Sequence, residues 1–508
     1  MRIPRRAEST DRALLAQTYV SAGSFSAILN SADHQILYGR RGTGKTHALL
    51  YLSDLVEQLD DIAIYLDLRT IGSTGGLYAD NTMTPAERGT HLLVDTIEAI
   101  HEQLLTIAIE RDITDDAALL PALDAVANAA TTIEVIGQVE HETTHGEDHQ
   151  TTTQLGLTAG INPATQPHLT ATSSHKHTST AHNRQRRTGI ERHRVLFGPL
   201  SRALRAVTKT LDGRRLWLLL DEWSSVPLDL QPLLADLLRR SILPVPGITV
   251  KIAAIERRSR FAIPNAGDYL GIEVGADAAS AVSLDDFMIL DHTADNAQEF
   301  FRQLFYNHTS TKIRTMFGGW LGNPEALINE IFSRNSFPEL VRAAEGIPRD
   351  AINVAALAAQ HANEAQIDLI DIRRGARDWY LRDKLTAINA NEGAHQVLQN
   401  LVDEVVGRRH SRTFVLDHET SARHTTVNEL YDARLLHVLR RGLVDHQHPG
   451  RLYDGFAIDY GCYVSLLEGD TRHRPRDRGG WLASLKGVPP DGFNLSKTAI
   501  DISTLERR

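Results

Sequence analysis

Gly39-Arg-Arg-Gly-Thr-Gly-Lys-Thr46 is the stretch on which the fold of this chain turns. It fits the spacing Gly-x-x-x-x-Gly-Lys-(Ser/Thr) without a mismatch, and that spacing has a mechanical meaning. Glycines at 39, 42 and 44 let the backbone curl until several N–H groups face one anion. A helix starting near Lys45 adds the partial positive charge of its N-terminus. Lys45 is then placed to reach β and γ phosphates, and the Thr46 hydroxyl to meet Mg²⁺. An incidental Gly-rich turn would need neither of the neighbours found here. An apolar strand is expected at 34–38 before the stretch, and an amphipathic helix at 46–59 after it, with Leu49, Leu50, Leu52 and Leu55 near helical spacing. The stretch predicts an ATP-binding loop made by Gly39, Arg40, Arg41, Gly42, Thr43, Gly44, Lys45 and Thr46.

A second strand at 62–68 completes a strand–loop–helix–strand unit, the beginning of a parallel sheet covered by helices. Such a site needs a carboxylate for the metal at the end of a neighbouring buried strand. Leu216-Trp-Leu-Leu-Leu-Asp221-Glu222 supplies it: five apolar residues, then two acids where the strand meets solvent. Asp221 is the expected metal partner. Glu222 is placed to polarise an attacking water, which predicts hydrolysis rather than binding alone. A helical lead-in is expected at 9–30, helices at 87–111, 195–211 and 228–242, and strands at 249–255 and 282–290.

Residues 141–188 differ in kind, with twelve Thr and seven His but no Phe, Tyr or Trp. So little apolar area does not offset the entropy of ordering, so the segment is expected to loop out of the sheet, with weak alternation at 151–160 and 168–174 suiting an exposed hairpin. His141, His145 and His149 recur every fourth residue, but a zinc site would add Cys or a shaped carboxylate shell. The segment reads as a polar insertion.

With 508 residues the chain has material for two to four domains. Its net charge of −10 argues against coating by nucleic acid over the whole surface, yet residues 391–508 balance 16 basic against 16 acidic groups, 14 of the basic ones Arg. Cys462 is alone, so no intrachain disulfide forms. Apolar runs such as 216–220 and 354–359 are far too short to cross a bilayer, and the basic start at 1–7 lacks the apolar stretch of a secretory signal. A cytoplasmic protein without membrane contact is expected.

Three stretches together resemble the AAA+ ATPases, and within them the origin-recognition and Cdc6-like initiator group in its bacterial branch. Tyr38 to Thr46 has the phosphate loop, with Arg-Arg where many relatives have Pro-Pro; Leu220-Asp-Glu-Trp223 has the acidic pair. Glu345-Gly-Ile-Pro-Arg-Asp-Ala351 is similar to the group's second-sensor motif. By that likeness Arg349 folds down onto the γ-phosphate and reports hydrolysis to the lid. From the residues alone, Gly-Ile-Pro presets a helix start, and an Arg in the first turn opposes the helix dipole unless an anion faces it, a solvated or locally paired Arg being the alternative. The likeness and the element order imply an α/β P-loop NTPase (AAA+) fold. An ATPase domain is expected over 1–293, a helical lid over 294–390, a winged-helix-like domain over 391–470 and a tail over 471–508.

The chain departs from the group after the strand at 248–255, where relatives carry Asn, Ser or Thr as a polar sensor. Here Glu256 follows, then Arg257, Arg258, Ser259 and Arg260. Either Glu256 or Ser259 fills the role or the role is absent, which implies slow hydrolysis. Arg258 or Arg260 is the expected finger reaching a neighbouring subunit's nucleotide, ahead of Arg239 and Arg240, with a surface or packing role as the alternative; such a finger implies a homo-oligomer.

Helices expected at 394–406 and 427–441, a strand at 413–416 and two strands within 442–467 follow the order of a winged helix. Arg408, Arg409, Arg412, Arg423, Arg434, Arg440, Arg441 and Arg451 fall on it and suit DNA, although interleaved acids suit a protein partner equally. The basic stretch Arg472-His-Arg-Pro-Arg-Asp-Arg478 reads as DNA contact or linker. Three functions are carried forward. The first is an oligomeric, ATP-dependent initiator-type switch or remodeller on DNA. The second is an ATP-gated assembly or signalling protein whose C-terminal domain and insertion hold protein partners, as in bacterial members of the group linked to phage defence. The third is a nucleotide-dependent transcription regulator without motor action.

Overall fold

The computed structural model describes residues 12–21, 25–71, 83–111, 116–130, 133–142, 149–158, 170–179, 184–193, 196–265, 268–277, 280–285, 294–317, 323–445, 450–469 and 498–506. The expected stretches at 286–290 and 472–478 lie outside them.

Two short helices, α1 (Arg12–Thr18) and α2 (Phe25–Leu29), precede β1 (Gln35–Tyr38). The phosphate loop follows, then α3 (Lys45–Gln58), β2 (Ile62–Asp67), α4 (Pro85–Arg111) and α5 (Asp116–Ala130). The polar insertion is a pair of two-stranded antiparallel ribbons, wider than its composition indicated. The strands β3 (Ile133–Glu142) and β6 (Arg184–His193) pair with each other, as do β4 (His149–Thr158) and β5 (Thr170–Ser179). Then come α6 (Phe197–Thr210), β7 (Leu216–Asp221), α7 (Gln231–Ser241), β8 (Ile248–Ala254), a hairpin of β9 (Ala262–Asn265) and β10 (Asp268–Gly271), and β11 (Ser280–Ser283).

The central sheet is five-stranded and wholly parallel, ordered β11-β1-β8-β7-β2. Alternation along β7 explains why both its faces are apolar: Leu216, Leu218 and Leu220 enter one core with α4, α6 and α7, while Trp217 and Leu219 enter another with α3. Every residue of β7 is buried, so its end at Asp221 is held rigidly.

Helices dominate the expected lid: Ala294–Phe317, Pro324–Ile331, Ser336–Ala344, Pro348–Ala362 and Leu369–Trp379 pack about Phe301, Phe305, Phe337 and Leu340. The C-terminal unit holds the helix Glu392–Leu401, then β12 (Thr413–Asp417), short helices at His418–Arg423 and Thr425–Asp432, β13 (Leu436–Val444), β14 (Leu452–Ile458) and a helix at Tyr460–Gly469. Its sheet runs β12-β14-β13, all antiparallel.

One expectation is corrected here. The helix expected over 427–441 stops at Asp432, Arg434 turns the chain at φ 62°, and 436–444 is a strand. Leu435, Leu436 and Val438 suit either period, and pairing of β13 with β14 decides for the strand. Strands stand on both sides of the turn at 448–450, as expected, and after β14 the chain is helical over Tyr460–Gly469. That helix joins two cores, since Tyr460 and Val464 pack in the lid and Cys462 and Tyr463 against the C-terminal sheet. A Cβ at Gly461 would stand 2.3 Å from the Ala376 carbonyl oxygen, so only glycine admits this close crossing.

Candidate functional site

The loop between β1 and α3 is shaped by Gly42 and Gly44, with φ of 88° and 99°. A side chain at Gly44 would meet no atom within 4 Å, so backbone conformation alone demands the glycine. At Gly42 space is also closed, because a Cβ would lie 2.7 Å from Cβ of Arg349. Gly39 N donates to Ala254 O at 3.2 Å, tying the loop to the end of β8. Lys45 begins α3, and its Nζ donates to the carbonyls of Gly39 and Arg40 at 2.8 and 3.1 Å. Burial lowers the pKa of this ammonium, against the opposing pull of Asp221, Glu222 and Asp285. Thr46 is the second residue of the helix, half-buried beside it. Arg41 stays exposed.

One strand separates β1 from β7, which sets the acidic edge about 10 Å from the loop's strand, two strand spacings away. Asp221 is 1% exposed; its Oδ2 accepts from Tyr65 Oη at 2.7 Å and its Oδ1 from the Glu222 amide at 2.8 Å. Glu222 is half-buried and has φ 56°. A glutamate in the left-handed region costs about 1–2 kcal/mol, so the packing around β7 imposes this conformation at the site. Arg69, which the sequence reading missed, clasps Asp67 on the neighbouring strand at 2.6 Å and places Nη1 4.0 Å from Glu222 Oε1. Asp67 and Asp221 stand opposite each other in the β2–β7 register, so Arg69 offsets charge at this carboxylate edge.

The lid reaches the loop directly. Arg349, in the first turn of the helix Pro348–Ala362, donates its amide to the Gly42 carbonyl at 3.2 Å, and Asn353 Nδ2 holds the Arg349 carbonyl at 2.8 Å. On the other side of Gly44 opens a small pocket lined mainly by apolar and aromatic side chains. Tyr19, Phe25, His47, Phe300 and Leu304 line it together with Thr43 and Gly44. Three separate segments build this wall, and nothing in the sequence marks them. The Tyr19 ring stacks on Tyr51 at 4.0 Å and meets His47 edge-on at 5.4 Å.

Two of the three arginines after β8 bond within the same chain. Arg257 donates to Ser421 O and Asn428 Oδ1, and Arg258 pairs with the buried Asp432. Glu256 is held by Arg441 of β13 through two contacts of 2.8 and 2.6 Å, and Ser259 shares a 3.0 Å hydroxyl bond with Ser224. Arg239 and Arg240 both grip Asp236. Arg260 has an exposed side chain. Arg40 also turns away from the loop's anion face, into the C-terminal unit, with its side chain 5% exposed.

No family model matches the chain, and no curated protein matches it. Among solved structures it is similar to the Aeropyrum pernix Orc1 protein in complex with DNA, at 12% identity over 90% of this chain and 96% of that one, with a TM-score of 0.32. It is also similar to a Thermotoga maritima RuvB variant, at 9% identity over 89% and 94% of the two chains, with a TM-score of 0.31. Likenesses this distant carry no weight beside the sheet order, the glycine-shaped loop and the helix it opens. Those features are an α/β P-loop NTPase fold. Among the described residues no helix is long and apolar enough to cross a membrane.

One outcome is expected: Glu222→Asn, which tolerates a left-handed backbone, is more stable than Glu222→Gln by about 0.5–1 kcal/mol in thermal unfolding. Equal stability would show that the backbone at 222 is unstrained.

Proposed function

We propose that the chain is an ATPase of AAA+ type that binds Mg-ATP between the phosphate loop and the lid and hydrolyses it. The observation that carries this reading is the placement of Lys45, at the head of the helix that follows β1, and of Asp221 with Glu222, at the end of β7, with one parallel strand between β1 and β7. The loop's amides and the head of α3 hold the β and γ phosphates, and Lys45 exchanges its two carbonyl partners for phosphate oxygens. The pocket walled by Tyr19, Phe25 and Phe300 receives the base. The hard oxygen donors Thr46 and Asp221 suit Mg²⁺, and among the described residues no group of three or more His, Cys, Asp or Glu offers an all-protein metal cage; an ion keeping most of its waters needs only such a pair. When bound, Mg²⁺ supplies charge neutralisation between the phosphates. Glu222, its backbone held in place by Asp221, orients the attacking water and takes its proton. Arg349 stands at the mouth of the loop and faces the γ-phosphate.

DNA is the proposed macromolecular partner, taken up by the C-terminal unit as a winged helix. Of the eight nominated arginines, Arg412, Arg434 and Arg441 are engaged with Glu345, Asp350 and Glu256 inside the chain. Arg440 and Arg451, exposed on the β13–β14 hairpin, and Arg423 on a neighbouring helix carry the phosphate contacts. An oligomer whose Arg260 serves the next subunit's nucleotide fits the same reading. Lys45→Ala is expected to lower ATP affinity at least about tenfold, or about 1.4 kcal/mol, and duplex DNA to raise wild-type turnover. Undiminished affinity in Lys45→Ala would overturn the site, and turnover indifferent to DNA, with no binding, would overturn the partner.

A second reading, an ATP-gated assembly protein of the kind linked to phage defence, is favoured by the Glu256–Arg441 contact. It replaces a polar water sensor with a tie to the C-terminal unit. That reading expects mass to rise with ATP over ADP in light-scattering measurements; a monomer in both states removes it.

A further inference from the structure

Arg40 belongs to the phosphate loop by sequence, yet its guanidinium is buried in the C-terminal unit. Its amide and Nε both donate to Asp285, at 2.9 and 2.8 Å. Its Nη2 donates to the Glu345 carbonyl at 3.3 Å, and its Nη1 lies 2.6 Å from His437 Nδ1. An arginine only donates, so His437 Nδ1 is the acceptor and the ring proton sits on Nε2. Nε2 in turn lies 3.3 Å from Asp459 Oδ2, which takes that proton's hydrogen bond. The imidazole is thus neutral with one tautomer selected, and burial pushes its pKa below the usual histidine value in the same direction.

Asp459 is itself held by Lys384 Nζ at 2.5 Å, and Lys384 reaches Asp350 at 2.8 Å. Asp350 is the neighbour of Arg349. The chain of contacts therefore leaves the phosphate loop at Arg40, passes through His437 on β13, and returns to the lid residue beside the proposed γ-phosphate arginine. A buried polar network serving only to fasten two domains has no reason to end on the loop. This one ends on the peptide whose carbonyl accepts both Lys45 Nζ at 3.1 Å and Thr43 Oγ1 at 2.9 Å. Moving the Arg40 side chain rotates that peptide and with it the amide cradle.

We propose that His437 is a positioning residue of the nucleotide site, fixing the phosphate loop through Arg40, so that the C-terminal unit is a working part of that site. This rests on the ATP reading above and deepens it, because the surface that would contact DNA shares strand β13 with the residue that sets the loop.

The test uses the full chain. Wild-type ATP binding is measured first by fluorescent-nucleotide titration; no binding at any concentration overturns the ATP reading itself. With binding established, His437→Phe, which keeps a ring but neither hydrogen bond, is expected to raise the ATP Kd and KM about tenfold with kcat within about threefold, at a temperature well below its unfolding midpoint. His437→Gln, with an acceptor for Arg40 and a donor for Asp459, is expected to recover most of that loss. Arg40→Met is expected to match the Phe variant, and the double variant to be no worse than either alone. Should His437→Phe not fold, Arg40→Lys carries the test: it keeps charge beside Asp285, gives up the fork to His437, and is expected to raise KM likewise. Wild-type KM in a folded His437→Phe or Arg40→Lys protein, additive effects in the double variant, or a Gln variant as impaired as Phe would overturn the proposal.

Discussion

A polypeptide that turns its own amides onto one anion has to curl within a few residues, and every other feature of this site follows from that constraint. The curl from Tyr38 to Lys45 requires glycine at 42 and 44, and within the loop only Thr43 and Lys45 brace it, by bonds to the Gly39 and Arg40 carbonyls. Further support comes from outside. Below, the end of β8 fixes Gly39; above, the lid presses Arg349 against Gly42; at the side, Asp285 grips both the amide and the guanidinium of Arg40. The sheet is parallel because the opposing carboxylate must sit at the same edge as the loop, and parallel strands bring their ends to one side.

The second organising feature is buried charge. Arg40, Asp285, Asp350, Lys384, Arg434 and Asp459 are all nearly inaccessible. Removing such groups from water is expensive, and their mutual attraction offsets this only where partners are arranged closely. Lys384 between Asp350 and Asp459 meets that condition, and the raised pKa of its ammonium, despite burial, reflects the two carboxylates beside it. Apolar packing would hold lid and C-terminal sheet together without this cost. A charged seam instead makes the interface specific in orientation, since a small rotation leaves ions unpaired. Arg257 and Arg258 extend the polar contacts to the C-terminal unit through Asn428 and the buried Asp432.

Much of the α/β half was legible in the sequence. The phosphate loop, α3 and β7 are local patterns: glycine spacing, helical periodicity and a run of apolar residues ending in two acids. The C-terminal half was less so. Residues 427–441 satisfy both a helical and an alternating pattern over their apolar positions, and only β14, more than ten residues further on, selects the strand. Arg258 and Arg441 keep much of their surface exposed, yet each bonds an acid of its own chain, a pairing that charge and local sequence do not reveal. Likewise Arg40 was assigned to phosphate by its place in the loop, while its guanidinium follows Asp285 and His437.

The sequence by itself determined the anion-binding loop, the acidic strand end and the parallel sheet that relates them, because each depends on backbone conformation and burial that neighbouring residues dictate. Only the tertiary structure decided which side chains line the pocket beside Gly44, where the arginines point and that a histidine on β13 meets the loop. Those contacts join residues up to 397 positions apart. Between such residues the chain imposes no spacing, so the packing of whole domains sets the partner.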